Sequence, residues 1–117
     1  MSLRDKILGA EDLHREKVEV KEWDATIYIR EMTGGERDAY DASLIDKSGL
    51  PTKEKLKDMR AELVVLTAVD EKGERIFGDD DVALVTRKNA KILDRLADIA
   101  QVINKLSEDA IEAEQGN

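Results

Sequence analysis

Leu63-Val64-Val65-Leu66-Thr67-Ala68-Val69 is the longest uncharged run in a chain of which 39% of residues are charged. Upstream, Leu56, Met59, Leu63 and Leu66 fall at i, i+3, i+7 and i+10, a helical spacing. At Leu56 only one stripe is apolar; by Val64-Val65 both sides are. The spacing therefore predicts a helix whose C-terminal half is buried on most faces, with the other elements packed on it. A competing reading stands beside it. Val64, Val65, Thr67 and Val69 are β-branched, and Asp70-Glu71-Lys72-Gly73 could turn the chain into a returning strand over 74–77. No breaker separates Leu56 from Val69, which favours the helix.

The 117 residues fit one domain. Trp23, Tyr28, Tyr40 and Phe77 are its four aromatics, so the core must be aliphatic. The absence of cysteine excludes disulfides, thiolate metal sites and cysteine catalysis. No apolar run approaches the ~20 residues of a membrane span. The first ten residues place acidic Asp5 beside Lys6 and hold too few apolar residues for a signal peptide, so a soluble cytoplasmic protein is expected. The net charge is −8, most of it in the second half: residues 1–60 hold 12 basic and 14 acidic side chains, residues 61–117 hold 7 and 13. Such a surface repels nucleic acid and anionic lipid and suits solubility or a basic protein partner.

Ser2 caps a short first helix over 3–8 that stops at Gly9, and an irregular arm runs to residue 16. Lys17-Val18-Glu19-Val20-Lys21 and Thr26-Ile27-Tyr28-Ile29-Arg30 alternate with the period of a strand. They predict a β-hairpin within 17–31, turning over 22–25, with one face on the core. Trp23 sits at that turn, either folded back as a lid over the apolar face or exposed for a partner. Thr33-Gly34-Gly35-Glu36 is a capping box for a helix over 34–45 that buries Ala39, Tyr40, Ser43 and Leu44. Ser48-Gly49-Leu50-Pro51 is a loop, and Thr52 caps the central helix.

Beyond the central helix, residues 70–75 form a turn and Ile76-Phe77 tucks back onto the core. Asp79-Asp80-Asp81 invites a calcium reading, but a loop starting at Asp70 puts Lys72 at position three and Arg75 where glycine is needed. The aspartates fit better as an N-cap, Asp79, and the first turn of a helix through Val85. Asn89 caps the last long helix, to Leu106. Ile92, Leu96, Ile99, Ile103 and Leu106 recur with 4-3-4-3 spacing, either as a core face or as a seam between subunits. Arg87, Lys91 and Arg95 form a basic stripe on another face. Ser107-Glu108-Asp109 caps a short helix within an acidic tail, 107–117.

This order of elements gives an α+β fold, one small β-hairpin packed against about five helices, with an arm at 1–16 and a helical body over 33–106. No catalytic constellation is present: His14 is alone, there is no Gly-x-Ser-x-Gly, and every acid has a place at a cap, strand edge or solvated face. No catalytic, cofactor or metal residue is expected, and no enzyme.

Taken together, several stretches resemble the tail assembly chaperones of long-tailed bacteriophages and prophages. They are Glu22-Trp23; Tyr28-Ile29-Arg30-Glu31-Met32-Thr33-Gly34-Gly35-Glu36-Arg37-Asp38-Ala39-Tyr40; Arg60-Ala61-Glu62-Leu63-Val64-Val65-Leu66-Thr67; Val69-Asp70-Glu71-Lys72-Gly73-Glu74-Arg75-Ile76-Phe77; Asp79-Asp80-Asp81-Val82; and Leu93-Asp94-Arg95-Leu96. Their order and spacing across residues 17–110 carry the resemblance. It implies a chaperone that binds the tape measure protein, keeps it soluble and helps recruit tail tube subunits. It also implies action in the host cytoplasm and absence from the mature virion. The family has no catalytic or ligand motif to carry over. Trp23, Ile92, Leu96, Ile99, Ile103 and Leu106 are the candidate protein contacts, and self-association through the last helix is expected. The alternatives are a structural head–tail or tail subunit and a small acidic regulatory domain.

Overall fold

The computed structural model describes residues 2–43 and 53–105, with side chains from residue 58 onward in the second stretch. The expected loop at 46–52, the Thr52 cap, the burial of Leu44, and Leu106 with the acidic tail lie outside the described residues.

Helix α1, Leu3–Gly9, starts where Ser2 accepts a hydrogen bond from the Asp5 amide at 3.1 Å. Strands β1, Arg15–Val20, and β2, Ala25–Arg30, pair antiparallel with Val18 opposite Ile27 and Val20 opposite Ala25. Pairing starts two residues earlier than the alternation suggests. The Glu31 amide donates to the His14 carbonyl at 2.9 Å, and the His14 amide donates to the Glu31 carboxylate at 2.7 Å, which draws Arg15 and Glu16 into the ladder. A 3-10 turn, Lys21–Trp23, joins the strands, closed by Asp24 in the left-handed region at φ 49°. Aspartate tolerates that conformation better than most residues.

Helix α2, Gly34–Ser43, begins on the expected capping box: the Thr33 amide donates to Glu36 at 2.9 Å and the Glu36 amide donates to Thr33 Oγ1 at 3.1 Å. Tyr40 is buried and Ser43 half-buried, but Ala39 is exposed. A methyl group contributes little area, so the phenol decides which face of α2 turns inward.

Helix α3, Lys53–Thr67, is the organising element, and the uncharged run divides within it. The helix stops at Thr67, whose buried hydroxyl donates back to the Leu63 carbonyl at 2.7 Å. Ala68–Val69 then form β3, which extends the hairpin into a three-stranded antiparallel sheet, with Val69 opposite Tyr28 and Ala68 opposite Ile29. The strand reading thus holds for two residues. The returning strand shrinks to one bridge between Val69 and Arg75. The turn between them uses the Asp70 carboxylate, which accepts from the Lys72 and Glu74 amides, and Gly73 at φ 85°. A β-carbon at Gly73 would also stand 2.7 Å from the Arg15 guanidinium.

After the turn, Phe77 packs on the core but Ile76 stays exposed. Adjacent residues of an extended segment point to opposite sides, so only one of the pair turns inward. A 3-10 turn at Asp79–Asp81 leads into α4, Val82–Val85. The N-cap of the 3-10 turn is Gly78, one residue earlier than the expected Asp79: the Gly78 amide donates to the Asp81 carboxylate at 2.8 Å, so Asp81 does the capping from inside the turn. Helix α5, Ala90–Ile103, starts on Asn89, whose carboxamide accepts from the Lys91 and Ile92 amides. It ends at Ile103, because Asn104 leaves the helical region and Lys105 is left-handed at φ 54°. Arg87 precedes α5, so the basic stripe loses its first member.

The core lies between the apolar face of the sheet and the pair α3–α5. It gathers Val18, Val20, Ile27 and Ile29 from the strands, Leu63, Val64 and Val65 from α3, and Ile92, Leu93, Leu96, Ala97 and Ala100 from α5. Leu66 is only half-buried.

Candidate protein-binding surface

The hairpin turn, the segment after β3 and α4 meet around Trp23. The 3-10 turn holds the indole half-buried against the core, and Glu22 beside it approaches Arg95 of α5 at 3.8 Å. Phe77, Leu84 and Val85 face it, and with Asp81 and Lys88 they line an open groove of about 350 Å³. The Lys88 ammonium stands 5.8 Å from the indole centroid, within cation–π range. Trp23 is thus both a lid on the hairpin and one wall of a surface groove.

Phe77, Leu84, Val85 and Lys88 were not singled out by periodicity. The signal for Leu84 and Val85 was Val82-Ala83-Leu84-Val85, four apolar residues on one helical turn. A single turn can bury only one side, and here Val85 goes inward while Leu84 is 57% exposed.

A second hollow, of about 410 Å³, lies where 10–13, the start of β1 and the turn at Gly73 meet. Both of its arginines are already engaged. Arg15 covers the Tyr28 ring at 5.2 Å and donates to the Glu71 carbonyl at 2.7 Å, and Arg30 is paired with Glu36. Among the described residues no group of three or more metal-ligating side chains is assembled, and no helix is long and apolar enough to cross a membrane.

The α5 stripe splits along its length. Ile92 and Leu96 are buried beneath the sheet, whereas Ile99 and Ile103 are half-buried. Val102, between them in sequence, is 72% exposed. Trp23 and the far end of the stripe are not brought together in one surface by any element described above. The groove combines an indole wall, exposed leucine and flanking charge.

Residues 2–115 match the family model of the phage tail assembly chaperone. Among solved structures, the chain is similar to the bacteriophage HK97 tail assembly chaperone, with a TM-score of 0.63 at 18% identity, covering 87% of this chain and 98% of that one. That likeness is one of fold. No curated protein matches the chain.

Proposed function

This chain belongs to the phage tail assembly chaperone family, and from that premise we propose that it is a non-catalytic chaperone for the tape measure protein of its own phage. In this reading it binds apolar helical stretches of that long chain, keeps them soluble, and helps bring tail tube subunits onto them. It works in the host cytoplasm and leaves before the virion is finished.

The observation that supports this reading is the groove walled by Trp23, Phe77 and Leu84. It is open, apolar and rimmed by charge, the form in which a helix-in-groove contact is made. Ile99 and Ile103, with Val102 beside them, are the further contact proposed at the end of α5. The net charge of −8 keeps a complex with an apolar client soluble and favours basic stretches of that client.

Co-expression tests it. The tape measure protein encoded beside this chain is expected to be insoluble alone and to be recovered in the soluble fraction, co-purifying, when this chain is present. No gain in solubility and no co-purification would overturn the reading. Finding the chain as a stoichiometric component of purified virions would replace it with a structural role.

A further inference from the structure

Lys88 lines the Trp23–Phe77–Leu84 groove and is paired with no acid: among the described residues every ion pair is made by an arginine. Its ammonium lies over the Trp23 indole instead, 5.8 Å from the centroid. The carboxylates nearby are turned elsewhere. Asp81, the acid of the groove, accepts from the Gly78 amide at 2.8 Å, and Glu22 beside Trp23 faces Arg95 at 3.8 Å. The aromatic wall of the groove is thus covered by a cation that has kept no counter-ion among the described residues. Resting on the reading that this groove receives an apolar helix, we propose that Lys88 selects which helix. The occupant carries a carboxylate one turn from the apolar side chain that it sets against Leu84.

The backbone fixes that spacing. Helical turns continue past α4: the amides of Thr86, Arg87 and Lys88 donate to the carbonyls of Val82, Leu84 and Val85 at 3.0, 3.2 and 3.0 Å. Leu84 and Lys88 therefore stand one turn apart along the groove, roughly 6 Å. A helix laid beside them presents its side chains in the same steps. An apolar residue against Leu84 brings the residue three or four places along to Lys88. A carboxylate at that place draws the ammonium off the indole.

The exchange costs little, because a cation–π contact at an exposed site and a surface ion pair are of similar strength. The bared indole then gains the apolar face of the occupant. A neutral residue in the same place leaves the ammonium on the ring, and a lysine repels it. The net charge of −8 disfavours acidic partners at the range of a Debye length. The contact at Lys88 acts over a few ångströms and makes a local exception to that field.

Trp23 is the single tryptophan of the chain, so its fluorescence reports on the groove directly. The probes are synthetic amphipathic peptides of about 15 residues, long enough to hold a helix. They are identical except for glutamate, glutamine or lysine one turn from the central leucine, and each is titrated into the full chain. The wild type should bind the glutamate peptide about two- to fivefold more tightly than the glutamine peptide, and the lysine peptide most weakly. Lys88→Glu should reverse that order. Lys88→Met, which keeps an apolar stem, should flatten it, with the circular dichroism of both variants unchanged. Lys91→Glu makes the same change of net charge outside the groove and should keep the wild-type order. Equal affinity of the wild type for the glutamate and lysine peptides, or an order shifted as much by Lys91→Glu as by Lys88→Glu, would overturn the proposal and leave the groove standing as a client site. Peptides that bind without perturbing Trp23 fluorescence, or do not bind at all, would overturn it together with the groove.

Discussion

Arg30, the last residue of β2, and Glu36, in the first turn of α2, form a two-pronged ion pair in which each guanidinium nitrogen meets one carboxylate oxygen at 2.9 Å. Arg30 is buried, and the same carboxylate accepts from the Thr33 amide. One side chain therefore closes the capping box and neutralises a buried cation, fixing the angle at which the sheet hands over to α2. The Arg30 hydrogen bonds hold the Glu36 carboxyl at about 2, well below the ordinary 4.5, against the opposing effect of its partial burial.

Acid should therefore loosen this junction. A carboxyl depressed in the folded state contributes stability that is fully present above pH 4.5 and is lost as pH falls toward 2. Urea midpoints measured between pH 6 and pH 2.5 should fall more in the wild type than in Glu36→Gln, which has nothing left to protonate. At neutral pH Glu36→Ala should cost about 2–4 kcal/mol, between a charge-assisted hydrogen bond and a broken buried ion pair. Parallel pH profiles for wild type and Glu36→Gln would refute the assignment.

Asn104 should matter more than a helix-terminal residue ordinarily does. Its carboxamide accepts from the Met32 amide at 2.8 Å and donates to the Ala100 carbonyl at 2.9 Å, while its own carbonyl accepts from Arg37 at 3.0 Å. It ties the end of α5 to the same β2–α2 junction. Asn104→Ala leaves the Met32 amide without that partner and should cost about 1–3 kcal/mol. Asn104→Asp keeps the acceptor and should recover part of the loss, which a chemical denaturation series on the three proteins would measure.

Two leucines one helical turn apart on α3 should behave differently. Leu63 is fully buried, so Leu63→Ala should cost about 2–5 kcal/mol. Leu66 is half-buried, and Leu66→Ala should cost clearly less, about 1–2 kcal/mol, because less area returns to water and solvent fills the gap. Equal denaturation midpoints for the two variants would show that the inner face of α3 has been misassigned.

The hairpin, the capping box, the Ser2 and Asn89 caps and the organising helix were legible because each rests on local chemistry or a period within one element. The third strand was not. Ala68 and Val69 suit either structure, and what decides is the free edge of β2, where Tyr28 and Ile29 take them as partners. Asn104 was hidden for the same reason: its partners Met32 and Arg37 lie 72 and 67 residues away. Of the candidate contacts, Trp23 could be named from its place in a turn. Its neighbours in the groove could not, since Phe77 and Leu84 reach it only through the fold. Periodicity marked the α5 stripe but could not divide it into the buried Ile92 and Leu96 and the half-buried Ile99 and Ile103.

The last prediction separates binding from stability at the groove. Trp23 serves both, so Trp23→Ala should lower the unfolding free energy by about 1–3 kcal/mol, less than a fully buried aromatic, and should also reduce recovery of soluble client. Leu84 is mostly exposed and contributes little to the core, so Leu84→Ser should change the unfolding free energy by no more than about 0.5 kcal/mol. If the groove receives an apolar helix of the client, Leu84→Ser must nevertheless weaken the complex, and raising salt from 0.1 to 0.5 M must weaken it only modestly, because screening touches the charged rim and not the apolar contact. Pull-down of the tape measure protein by the two variants and the wild type, at both salt concentrations, reads all three effects. A Leu84→Ser protein that binds as the wild type does, or a complex that 0.5 M salt dissolves, would move the client contact away from the groove and toward the end of α5, where Val102→Asp is the corresponding test.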